Sequence, residues 1–169
     1  MGAKGIIISE KAGMTDFHDI QKTFPHEQDW TALQENTLIE LVQDYQSKPS
    51  CANSALVELA IRNHPKTIEL SEHILDDAQA DKWLKASALG SLLTKDFKRA
   101  LDKSLGFIDH CDHRLLCELV EAMNYEFQGE LKDYAANHAT TQKLKQRLRA
   151  GADKDVDYCE LFYEYVGAE

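Results

Sequence analysis

A chain of 169 residues is long enough for one domain with a real core and too short for two independent ones. Hydrophobic residues at 43% and charged residues at 28% exclude disorder as the default, and 3 prolines with 8 glycines are too few turn-makers for a β-sandwich of this length. The formal charge of −10, from 29 acidic against 19 basic side chains, removes the phosphate-neutralising contribution that dominates nucleic-acid binding; it suits solubility or encounter with a basic protein.

Residues 1–28 stand apart, with Gly2, Gly5, Gly13 and the run Ile6 to Ile8 but no sustained helical period. They are expected to form a weakly structured extension, and Met14 is a second possible start. From Trp30 the apolar spacing is helical. Leu33, Leu38, Leu41, Val42 and Tyr45 make one stripe, ended by Ser47 to Ser50 around Pro49. Ala52, Ala55, Leu56, Leu59 and Ala60 make a second, closed by His64-Pro65. A short helix on Ile68, Ser71, Ile74 and Leu75 stops near Asp76-Asp77, and its partner carries Leu84, Ala88, Leu89, Leu92 and Leu93. Phe97, Leu101, Leu105 and Ile108 follow. Asp112 then stands at an N-cap position before Leu115, Leu116, Leu119, Val120, Met123 and Phe127. Gly129 and Gly151 divide the remainder into helices at about 131–149 and 156–166. That makes about eight helices in one domain over 29–169.

An internal repeat runs through these stripes. Ile39-Glu40-Leu41 returns as Ile68-Glu69-Leu70 after 29 residues, and Ser54-Ala55-Leu56 returns as Ser87-Ala88-Leu89 after 33. Arg99-Ala100-Leu101 and Cys117-Glu118-Leu119 stand in the matching places 31 and 30 residues further on. Paired helices at a period near 30 are the signature of stacked repeats. Over about 33–127 the chain resembles the HEAT-like α-solenoid superfamily. That resemblance implies an all-α, right-handed stack of antiparallel helix hairpins whose concave face binds other macromolecules.

No phosphate loop, paired-histidine zinc motif or nucleophile elbow occurs. Cys51, Cys111, Cys117 and Cys159 are scattered, with no secretory leader in front of them, and read as reduced thiols of a cytoplasmic protein. The apolar run at Ile6 is too short to span a membrane. His110, His113 and Cys117 are the best metal ligands on offer, but zinc usually takes four and no clear fourth is near; the alternative is a turn with Asp112 capping. Glu118 and Glu121 share a helix face, as do Glu72 and Asp76, and both pairs read as solvated faces. Lys132, Lys143, Lys145, Arg147 and Arg149 against Asp133 make one basic strip, read as the polar face of an amphipathic helix rather than a phosphate contact.

The C-terminal segment interleaves acids and aromatics. Asp155, Asp157, Tyr158, Glu160, Phe162, Glu164 and Tyr165 are the expected partner-binding residues, because aromatic anchors ringed by carboxylates select a basic protein; a terminal cap helix is the alternative. The expectation is a non-enzymatic cytoplasmic binding protein with no cofactor or metal, no membrane contact and no nucleic-acid partner. By analogy it is of the bacterial immunity type, masking a basic toxin or enzyme surface. A HEAT-like scaffold in a larger assembly, or a metal-dependent enzyme at His110, His113 and Cys117, are the alternatives.

Overall fold

The computed structural model describes residues 28–126 and 131–150. These residues are helical, with no strand among them. A 3-10 turn at Trp30–Ala32 precedes α1 (Glu35–Gln43), α2 (Pro49–Ile61), α3 (Lys66–Asp76), α4 (Lys82–Lys95), α5 (Phe97–Ser104), α6 (His113–Glu126), α7 (Lys132–Asn137) and α8 (Ala139–Arg149). The extension expected before residue 28 and the helix expected at 156–166 lie outside the described residues, as do all seven proposed partner-binding side chains.

Helix boundaries follow local chemistry. Lys48, at φ −150° and ψ 82°, is outside the α region that a following proline disfavours, and Pro49 opens α2, where its missing N–H costs nothing. At the other end Asn63 adopts φ 56°, the left-handed conformation asparagine tolerates better than most residues. The His64 N–H then reaches Leu59 O at 2.9 Å and the Asn63 N–H reaches Ala60 O at 3.0 Å, closing the carbonyls of the last turn. Three aspartates cap successive helices. Asp81 accepts from the Trp83 and Leu84 N–H groups, Asp96 from Arg99 N–H, and Asp112 from the Arg114 and Leu115 N–H groups. The capping role expected of Asp112 is therefore observed, and part of the acidic excess is local helix chemistry.

Helix α4 is the centre of the molecule. It packs on α3, α2, α6 and α5, while α1 packs on α2 and α3, and α8 on α5 and α7. Burial patterns correspond between α2 and α4. Cys51, Ala55, Leu56 and Leu59 of α2 match Leu84, Ala88, Leu89 and Leu92 of α4, all buried. In α6 the residues buried at the same spacing are Leu115, Leu119, Val120 and Met123, with Leu116 buried beside them, one residue later than the Cys117-Glu118-Leu119 match predicts. On the other row, Leu41 and Leu70 match Ala100, one residue before the expected Leu101. Each buried leucine removes enough apolar surface from water to contribute about 1.5–3 kcal/mol.

Polar bonds tie neighbouring helices at nearly the same sequence distance. Tyr45 Oη donates to Asp77 at 2.5 Å and Lys95 Nζ to Asn63 at 2.5 Å, each 32 residues apart. Arg99 grips Glu72 with two bonds of 2.6 and 2.8 Å, and Lys103 meets Asp76 at 2.6 Å, each 27 apart. Glu72 and Asp76 are thus ion-paired to the next helices, not merely solvated.

The single helix expected at 131–149 is broken at His138. That residue is extended and its Nδ1 accepts from Thr140 N–H, capping α8, while its Nε2 lies 3.0 Å from Asp102. Thr140 Oγ1 donates to Leu101 O at 2.6 Å and Thr141 Oγ1 to Ala135 O at 2.5 Å. Side chains that bond locally to backbone compete with helix continuation, and here they also fasten α8 to α5.

Candidate functional site

The row α2, α4, α6 leaves a groove of about 850 Å³ along one side. Its long walls are Val57, Ala60 and Ile61 of α2, Ser87, Gly90, Ser91 and Thr94 of α4, and Glu118, Glu121 and Ala122 of α6, with Leu93, Lys95 and Phe97 added at the α4–α5 junction. The spacing of the α4 set, at i, i+3, i+4 and i+7, is one helix face made wholly of small residues. Large side chains there would fill the groove, so this stripe is why it exists.

Two features make the groove unlike the rest of the surface. Val57 and Ile61, 40% and 68% exposed, are two of the three large hydrophobics left open among the described residues. Glu118 is half-buried beside Glu121, and neither carboxylate has a hydrogen bond or ion pair among the described residues. Burial pushes the Glu118 carboxyl above the ordinary glutamate range, and the neighbouring Glu121 charge adds to the effect. The side chain fits because Gly90 lies beneath it: a Cβ at Gly90 would stand 2.7 Å from Glu118 Oε2. Glu121 is exposed, as a solvated face requires, but Glu118 is not.

The third exposed hydrophobic, Trp83, lies at the opposite end of α4 with the Arg114 guanidinium stacked over its ring. A second cavity of about 740 Å³ lies where α3 and α4 meet α5 and the α5–α6 loop. It holds His110, Cys111 and Asp112 with Lys82, Lys85 and the Lys103–Asp76 pair. The metal cluster proposed at His110, His113 and Cys117 is not assembled. Cys117 Sγ meets His113 at 3.2 Å, the one-turn spacing expected on α6, but no three metal-ligating side chains converge among the described residues.

The basic strip of α7 and α8 is partly committed to structure. Arg147 donates to Ile108 O at 2.7 Å and Cys111 O at 2.6 Å and touches Cys111 Sγ at 3.2 Å, stapling the loop before α6. Burial raises the Cys111 thiol despite that guanidinium. Lys143 is ion-paired to Asp109. No helix among the described residues is long and apolar enough to cross a membrane.

Comparison of the chain with protein-family models, with curated proteins and with solved structures returns no match. Reading function therefore falls to the groove itself. Sequence inspection passed over it, yet the run of Ser87, Gly90, Ser91 and Thr94 on one face of an otherwise leucine-rich helix is a visible signal.

Proposed function

We propose that this chain is a non-enzymatic cytoplasmic binding protein, built as a right-handed stack of HEAT-like helix hairpins, whose groove covers a basic surface of a partner protein. Of the roles such a fold can serve, masking a toxin or enzyme in the manner of an immunity protein accords best with the charge. The observation that carries this reading is the half-buried Glu118 beside Glu121, unpaired among the described residues, in a groove walled by the exposed Val57 and Ile61. Apolar surface left open in a groove is characteristic of contact sites, and unpaired carboxylates there choose a cationic occupant. Inter-helix bonds that join residues 27 to 39 positions apart accord with the stacked-hairpin description, since each hairpin of a repeat protein touches mainly its neighbour.

Affinity capture from native lysate with the tagged full chain tests the proposal. It predicts a stoichiometric basic protein that is released by salt and whose own activity falls on binding. A stoichiometric partner that is acidic, or whose activity is unchanged in the complex, contradicts it.

A further inference from the structure

We infer that the groove between α2, α4 and α6 seats an arginine side chain of the partner on the Glu118 carboxylate, with an apolar neighbour of that arginine packed against Val57 and Ile61. The inference rests on the binding-module reading above and makes it specific.

A half-buried carboxylate with no partner is an unfavourable feature for a free protein, because part of its hydration is lost without compensation. Elsewhere in the fold, carboxylates at helix contacts have partners: Glu72 with Arg99, Asp76 with Lys103, Glu58 with Arg62. Among the described residues Glu118 is the exception, and it lines the groove. The cation that lines the groove, Lys95, is bonded to Asn63 Oδ1 at 2.5 Å. A cation from outside is what completes the site.

Arginine fits it better than lysine. The guanidinium is less strongly hydrated than an ammonium, so entering a half-dry groove costs it less, and its planar fork can meet a carboxylate through two parallel bonds. Gly90, with no Cβ, lets the Glu118 carboxylate lie low against α4. Val57 and Ile61 lie one helical turn apart on α2 and form an apolar wall, so the preferred segment carries a leucine or similar side chain near the arginine.

The test is titration of the isotope-labelled full chain with three blocked twelve-residue helical peptides. They are identical except for arginine, citrulline or lysine at one position, with leucine one turn away. Backbone amide shifts would be followed at Val57, Ile61, Gly90 and Ala122. The arginine peptide is expected to bind at least about tenfold more tightly than the citrulline peptide, the usual worth of one charge-assisted pair. Lysine should fall between them. In Glu118→Gln the arginine and citrulline peptides should bind alike, while thermal stability is held or raised; Glu69→Gln, on an exposed turn of α3, should behave as the parent. Equal binding of arginine and citrulline peptides by the parent protein, no binding of any peptide, or an arginine preference that survives Glu118→Gln would overturn the inference. A captured basic partner whose affinity ignores Glu118→Gln would sink the arginine seat alone. An acidic partner would sink the binding-module reading with it.

Discussion

Replacing Gly90 by alanine separates the demands of stability from those of binding. Gly90 lies inside α4, so alanine should favour the helix by about 0.8–1 kcal/mol through reduced unfolded-state freedom and better propensity. Against this, the new Cβ would meet Glu118 Oε2 at 2.7 Å, closer than van der Waals contact allows, while Cδ at 3.5 Å is in ordinary contact. The obstacle is the far end of a flexible side chain, not backbone. Glu118 can swing toward water, at a rotamer cost of about 0.5–1.5 kcal/mol if no staggered well is free and near zero if one is. Leaving the groove also restores hydration to the carboxylate. The expected net is a gain of about 0.5 kcal/mol, seen as a rise of roughly 1–2 °C in melting temperature, together with weaker partner binding as the carboxylate leaves its seat. Urea denaturation and calorimetry measure the first, peptide titration the second. A loss of stability beyond about 1 kcal/mol would refute the reasoning, since it would mean that packing holds Glu118 rigidly over α4.

Glu118→Gln should change the pH dependence of folding. Because the folded-state carboxyl titrates above its unfolded value near about 4.3, its contribution is fully present below that pH and declines as pH rises through the raised folded value. The melting temperature of Glu118→Gln relative to the parent should therefore climb between pH 4 and 7; a constant or shrinking difference counts against the burial of Glu118. Arg147→Met should cost about 2–3 kcal/mol by leaving the Ile108 and Cys111 carbonyls without their donor, and Arg147→Lys should recover less than half of it because a single ammonium cannot span both. Denaturant melts decide this, and full rescue by lysine would contradict it. Ser71 and Thr67 are buried on one face of α3, and their hydroxyls have no partner among the described residues. Ser71→Ala and Thr67→Val should each be neutral or stabilising by up to about 1 kcal/mol; a clear loss would show that those oxygens are bonded in solution.

Legibility in the sequence tracked how local each interaction is. Stripes such as Leu38, Leu41 and Val42, or Leu84, Leu89 and Leu92, announced buried helix faces because one residue type repeated at helical spacing. Asp112 announced a cap because capping is settled within three residues. His138 was missed as a helix break because the bonds that favour the break run to Asp102 and Leu101 on another helix. The third repeat was placed one residue out because Glu118-Leu119 imitates the Ala-Leu pairs of earlier copies, whereas burial aligns Glu118 with Ser87. The groove was missed for a related reason. Its walls come from three helices about thirty residues apart, and Glu118 differs from other acids of the chain only by what faces it.

Hydrogen exchange across the full chain, alone and bound to its captured partner, tests the binding groove most directly. The account predicts slowed exchange in the groove-lining turns 57–61 of α2, 87–95 of α4 and 118–122 of α6, with the outer helices α1 and α3 little changed. Protection centred on α1 and α3, with the groove turns exchanging as in the free protein, would contradict it.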